Sequence, residues 1–259
     1  DAPQTVVTER PQVCVHTRLT DEVPEFRVQQ TFRAVREMGA DTVVEFFPWA
    51  YVESARGEYR WGHPDRIFKH ARNQGVKVLA RLGIVPEWAR PDDHDDTTTF
   101  NDLPENSYDE LAAFAGAFTA RYADALAGVI IWNEPNLTFE WGFRPVDAQG
   151  YTALLAAVAP AIRSAAPDVP ILAGALAPTT SETSEALSDL IYLRQMLDAG
   201  AAAFFDVLAV HTYGFGLPPE QEPAFDRANF RRVELVRALL DDYGLGDMRM
   251  MVTEFGWND

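Results

Sequence analysis

Cysteine is almost missing from this sequence: Cys14 stands alone among 259 residues. That excludes an internal disulfide framework and a cysteine-based zinc site. Histidine is scarce too, with only His16, His63, His70, His94 and His211. His63 and His70 fall on or beside a helix expected at residues 63–73, so a histidine cluster for a zinc hydrolase is not available. Positive charge is the minority sign, 22 Lys and Arg against 39 Asp and Glu, for a net charge of −17. This balance argues against a nucleic-acid backbone and against an anionic membrane as partner. No apolar run approaches the length needed to cross a bilayer. There is no G-x-S-x-G nucleophile elbow, no low-complexity linker and no internal repeat longer than a strand and a helix. The chain starts at Asp1 rather than Met, which is compatible with removal of a secretory signal peptide. Nothing in the pattern indicates an oligomeric state.

What the chain does have is apolar mass. It is 47% hydrophobic and 12% aromatic, enough for a large core and too much for disorder. Strand-like and helix-like segments alternate throughout. Strands are expected at 12–16, 41–47, 76–82, 128–134, 169–175, 206–211 and 248–254. Helices are expected around 28–38, 63–73, 108–122, 147–165 and 187–199, and through Phe230, Val233, Val236 and Leu240. Gly39 and Gly75 supply helix stops. Alternation of this kind implies a parallel sheet with right-handed crossovers, either an open doubly wound sheet or a closed eight-fold barrel. The open sheet normally carries a glycine-rich phosphate turn after its first strand. Here that position reads HTRLTDEVPE, with no glycine, which favours an α/β fold of the TIM (β/α)8 barrel type. The acidic run PDDHDD at 91–96 reads as a solvated loop, with a calcium site as the alternative.

The segments that follow the strands hold the unusual chemistry: FFPWAYVE, RLGIVPEWAR, WNEPNLTFEW, HTYGFG and TEFGWND. Five of the six tryptophans lie in them. In a barrel these loops share the C-terminal rim, where active sites of that fold are built. Glu134 ends the fourth strand and Glu254 the seventh, three βα units apart, so the two can face each other across a closed barrel. Two carboxylates across a small gap are the groups needed to cleave a glycosidic bond. One protonates the leaving oxygen while the other attacks the anomeric carbon or activates water. A separation of about 5–5.5 Å would indicate retention and roughly 6.5–9.5 Å inversion. Glutamate suits both tasks, because a neighbouring charge raises or lowers its pKa.

WNEPN and TEFGW resemble the motifs of the clan A retaining glycoside hydrolases, in which an Asn-Glu pair ends strand four and a second Glu ends strand seven. Trp49, Glu53, Gly57, Tyr59, Trp61 and Asp65 resemble a pattern of family 39 and of neighbouring families 5 and 42, and VPEWAR at 85–90 is similar to the same group. The resemblance implies a cofactor-independent hydrolase that needs no metal and acts on an oligosaccharide or polysaccharide. It implies Glu134 as general acid/base and Glu254 as nucleophile. Asn133 would bond the sugar 2-hydroxyl, Tyr213 would hold an oxygen of Glu254, and His211 would line the same wall. Trp257 and Trp49 would offer flat faces to a sugar ring. A catalytically silent carbohydrate-binding barrel is the other reading, although such a site would most simply have lost one carboxylate.

One departure concerns the arginine that steadies the nucleophile from the end of strand two in many such families. VVEFFPW has Glu45 there instead. Arg81, or Arg18, is expected to take over that role and to pair with Glu45. The alternative is a buried structural Glu45–Arg81 ion pair. Finally, seven strands and six following helices are expected before the chain stops at Asp259. The single barrel domain therefore reads as lacking its seventh helix, eighth strand and eighth helix. That predicts a gap between strands one and seven with Val13 and Val252 poorly covered, and weak or no activity from these residues alone.

Overall fold

The computed structural model describes residues 4–7, 13–20, 23–92 and 101–257, so most of the acidic run at 91–96 lies outside the described residues. Its strands are β1 (Cys14–His16), β2 (Thr42–Pro48), β3 (Lys77–Gly83), β4 (Leu126–Ile131), β5 (Ile171–Ala173), β6 (Val207–Tyr213) and β7 (Arg249–Gly256). They form one parallel sheet in the order β1-β2-β3-β4-β5-β6-β7. The helices between them are α1 (Glu25–Glu37), α2 (Trp49–Val52), α3 (Gly62–Gln74), α4 (Tyr108–Tyr122), α5 (Ala148–Ala165), α6 (Asp189–Asp198) and α7 (Val233–Asp242). The result is a nearly closed barrel of the (β/α)8 type.

Strict alternation along the strands builds two cores. Val44, Leu79, Ile130, Leu172, Val207 and Ala209 fill the barrel interior. Val43, Phe47, Val78, Ala80, Val129 and Ile131 point the other way, into the shell of helices. Successive side chains on a strand face opposite sides, so burial on both faces explains the nearly continuous apolar runs in the sequence. On α4, Leu111, Phe114, Ala115, Phe118 and Tyr122 recur at helical spacing and are buried. The C-cap of α3 is Gly75, left-handed at φ +67°, and a Cβ there would fall 2.5 Å from the carbonyl oxygen of Gln4. A side chain at that position would collide with the N-terminal segment crossing beneath it.

Several boundaries differ from the sequence expectation. β5 is only three residues long. Beyond it the Gly174 N–H donates to the Tyr151 hydroxyl at 2.5 Å instead of extending the ladder. β6 and β7 each run two residues further than expected, to Tyr213 and Gly256.

Between β1 and β7 the sheet is open: each edge strand pairs on one side only among the described residues. Val13 is 56% exposed and Val252 37%, as the expected gap requires. The interior residues nearest the gap, Cys14 and Met251, are only partly buried. No described helix is long and apolar enough to cross a membrane.

Candidate active site

The chain turns sharply as β4 ends. Trp132 (φ +72°) and Glu134 (φ +39°) both occupy the left-handed region that non-glycine residues seldom adopt. Such backbone persists only where its surroundings over-determine it, and it concentrates at functional sites. Here the surroundings are explicit. The Trp132 indole N–H donates to the Glu140 carbonyl at 2.7 Å, and the Glu134 backbone N–H donates to the Ala175 carbonyl at 2.9 Å. Fully buried Asn136 donates to the carbonyls of Ala177 and Leu187 at 3.0 and 2.9 Å, and accepts from the Ala177 N–H at 2.8 Å. Trp132 is thereby turned into the outer core, while the carboxyl of Glu134 reaches His211, Oε1 lying 2.8 Å from Nδ1.

β7 delivers the second glutamate by an irregularity. Val210 pairs with Val252, but the next residue of β6, His211, pairs with Glu254, so Thr253 is an extra residue on β7. Met251 faces the interior, and regular alternation would have sent Glu254 outward. The bulge reverses the parity and aims Glu254 inward beside His211, as bulges near active sites commonly do. His211 Nε2 lies 3.8 Å from Glu254 Oε1, so one imidazole stands between the two glutamates.

Glu254 is gripped on both oxygens. Arg81 Nη1 donates to Oε1 at 2.6 Å and the Tyr213 hydroxyl to Oε2 at 2.8 Å. Burial works against its charge, but His211, the Tyr213 hydroxyl and Arg81 outweigh that effect. Together they hold the carboxyl below its usual range. Tyr213 is correspondingly raised, by burial first and by Glu254 second. His16, at the end of β1, places Nε2 3.6 Å from Glu254 Oε1. Burial and then Arg81 keep its imidazole below the ordinary value.

Six of the expected residues therefore converge: Glu134, Glu254, Asn133, His211, Tyr213 and Arg81. Asn133 joins them by accepting from Arg81 Nη1 at 2.8 Å. Trp257 stays at the rim, 41% exposed, with its indole N–H donating to the Leu217 carbonyl at 2.9 Å and its ring 4.7 Å from Phe230. The indole covers Gly214 so closely that a Cβ there would lie 1.8 Å from the ring nitrogen.

Two expectations need correction. Glu45 does not pair with Arg81 or Arg18. It pairs across the sheet with Ala80, whereas Phe46 is the partner of Arg81, so Glu45 points outward with Val43 and Phe47 while Arg81 points inward with Leu79. Its oxygens instead accept from the Thr17 and Thr20 hydroxyls at 2.6 and 2.8 Å and from the Leu19 N–H. This carboxylate secures the loop after β1. Trp49 is fully buried and offers no face to a ligand. Its indole N–H donates to Glu53 at 2.6 Å, and Glu53 also accepts from the Gly57 N–H at 2.7 Å. Tyr59 stacks on Trp61, and Asp65 accepts from Tyr122. The whole motif from Trp49 to Asp65 is a structural staple over α3 and α4.

Sequence reasoning assigned no role to His16, Glu140 or Asn101. His16 had a usable signal, since it shares the inward parity of Cys14 at a strand end. Glu140 sits in a 3-10 turn, Thr138–Trp141, inside the stretch WNEPNLTFEW, which was its one signal; Asn101 lies on a loop and had none. Glu140 accepts from Asn133 at 3.0 Å and from Asn101 at 2.8 Å. Burial raises its carboxyl, the Asn133 bond opposes this, and Glu134 and Glu254 add to the rise.

Two adjoining hollows flank these groups. One, of about 600 Å³, is bounded by His16, Tyr51, Arg81, Tyr213 and Glu254. The other, of about 310 Å³, is bounded by Asn133, Glu140, Trp132, Phe139 and Phe143. Phe46, Arg81 and Ile84 form the wall they share. Among the described residues no group of three His, Cys, Asp or Glu is placed to hold a metal ion.

No family model matches the sequence, and no curated protein does. Solved structures match it well. A family 39 glycoside hydrolase from the gut symbiont Bacteroides cellulosilyticus WH2 superposes with a TM-score of 0.73 at 21% identity, over 99% of this chain and 51% of that one. This chain has the (β/α)8 barrel fold of these glycoside hydrolases. A family 39 enzyme from Xanthomonas axonopodis pv. citri gives 0.65 at 18% identity, over 98% of this chain and 52% of that one. The catalytic domain of a β-amylase from Paenibacillus polymyxa gives 0.61 at 11%, over 97% and 93%. The barrel thus spans about half the length of the two family 39 proteins. Identities this low establish the fold alone, and chemistry must be argued from the site.

Proposed function

We propose that this chain carries the catalytic centre of a retaining glycoside hydrolase acting on an oligosaccharide or polysaccharide without a cofactor. The observation that carries the reading is the contrast between its two glutamates. Glu254 is gripped by Arg81 and Tyr213 and held ionised. Glu134 is bonded to His211, which lies between the two. One carboxylate is thus fixed as an anion by two donors, while the other faces it across a shared imidazole.

In the first step a carboxylate oxygen of Glu254 attacks the anomeric carbon. The glycosidic C–O bond breaks, and the leaving oxygen takes the proton of Glu134. The glycosyl ester then formed on Glu254 has lost the negative charge. In the second step Glu134, now a carboxylate, removes a proton from water, the water oxygen bonds to the anomeric carbon, and the Glu254 carboxylate is released. Arg81 and Tyr213 stabilise that carboxylate at both ends of the cycle.

The test is a screen of activated aryl glycosides followed by trapping with 2-deoxy-2-fluoro glycosides. The expected result is at most weak turnover, with a covalent adduct on the peptide bearing Glu254 found by mass spectrometry. Sugar binding with no covalent adduct, or an adduct on another residue, would overturn the assignment.

A further inference from the structure

Glu140 is a third carboxylate beside the site, and the double displacement leaves it without a role. Its hydrogen bonds form a chain whose direction is set at both ends. Arg81 can only donate, so its 2.8 Å bond to Asn133 Oδ1 turns the amide carbonyl of Asn133 toward the guanidinium. The amide NH2 is thereby directed at Glu140 Oε1, 3.0 Å away. At the far end the Ile84 backbone N–H, also an obligate donor, reaches Asn101 Oδ1 at 3.1 Å. That directs the Asn101 NH2 at Glu140 Oε2, 2.8 Å away. Two amides, each oriented by a group that cannot accept, converge on the two oxygens of one carboxylate. The Trp132 indole fixes the Glu140 backbone from behind.

An ionised carboxylate is the side chain that accepts on both oxygens. A glutamine would offer one acceptor and oppose its own NH2 to one of the amides. Asn133 is left with one N–H that no described residue uses, and Asn133 borders the 310 Å³ hollow.

We propose that Glu140 is a positioning residue that, together with Arg81, locks Asn133 with its second amide N–H free toward the adjoining hollow, where a substrate hydroxyl would accept it. This rests on the glycosidase reading above.

The test has two arms. In the first, the Asn133 and Asn101 side-chain NH2 signals of the ¹⁵N-labelled chain are assigned with Asn133→Ala and Asn101→Ala, and their proton exchange is measured. Both should exchange at least about tenfold more slowly than a solvated amide. At least one should return to the solvated rate in Glu140→Gln. Solvated rates for both in the native protein would overturn the clamp. In the second arm, kcat/KM is compared for 2,4-dinitrophenyl β-glycosides of glucose, galactose and xylose and for their 2-deoxy counterparts. Glu140→Gln should lose about tenfold or more on the hydroxylated substrates and no more than about twofold on the 2-deoxy ones. Equal losses on both would mean a merely structural role. Asn101→Ala removes one anchor and keeps the Glu140 charge; it should show the same selectivity and replaces Glu140→Gln if that variant does not fold. If the native chain neither hydrolyses these glycosides nor forms the Glu254 adduct, the glycosidase reading fails, and the exchange arm still decides the clamp.

Discussion

Arg81 and Glu254 lie at the ends of β3 and β7, 173 residues apart in the chain, and meet at 2.6 Å across the barrel mouth. Neither residue has that partner on its own strand or on a neighbouring one. The contact exists because Arg81 has the inward parity of Leu79 and because the bulge at Thr253 restores inward parity to Glu254. Replacing Arg81 with Met should therefore act on Glu254, the proposed nucleophile. Glu254 would keep the burial that raises its pKa and lose one of the groups that lower it. A depressed carboxyl stays charged down to a lower pH than usual, so in the variant the charge is lost at a higher pH. The acid limb of kcat/KM should shift to higher pH, and kcat should fall on the order of 10²–10³-fold. An acid limb that stays in place would remove Arg81 from this role.

Glu134→Ala tests the proposed proton donor. Substrates with poor leaving groups depend on acid assistance worth roughly 10²–10⁴-fold, so they should suffer most. A dinitrophenyl glycoside needs little protonation and should lose much less in its glycosylation step, measured as the burst rate. Equal losses on the two substrate types would count against Glu134 as the acid.

Trp49→Phe separates packing from catalysis. The variant keeps the aromatic contact with Trp88 but removes the indole N–H from Glu53, a carboxylate only 3% exposed. Leaving a buried acceptor unpaired costs about 1–3 kcal/mol, which urea unfolding would read directly. Activity per folded molecule should not change. A selective rise in KM with stability intact would return Trp49 to the binding surface.

The opening between β1 and β7 predicts uneven protection. Backbone amides on the free sides of these strands should exchange hydrogen rapidly, while those of β3 and β4, paired on both sides, should be the slowest. The same unpaired edges, with Val13 and Val252 exposed beside them, should make the chain self-associate as its concentration rises, detectable by light scattering. Full protection of β1 and β7 in a monomer would show that the barrel closes in solution.

The strand and helix rhythm, the barrel class and the nearness of Asn133, Glu134 and Glu254 to strand ends were legible in the sequence, although β4 itself stops at Ile131 and β7 runs on to Gly256. Each depends on short-range pattern: apolar periodicity, a glycine stop, or a polar residue where an apolar run ends. Which way a side chain faces, and whom it meets, was not legible. Glu45 and Phe46 are adjacent, yet one faces the helices and the other the interior, and a one-residue change of register would exchange them. Glu254 faces inward only through an extra residue in β7, which no local pattern in RMMVTEFG announces. Trp49 looks like a rim aromatic until α2 folds it under Trp88 and Phe114. Glu140 reaches Asn133 and Asn101 because two loops meet, and loop contacts leave no periodic trace. Local propensity decides where elements start and stop; only the assembled sheet, with its register, its bulge and its crossing loops, decides which side chains share a site.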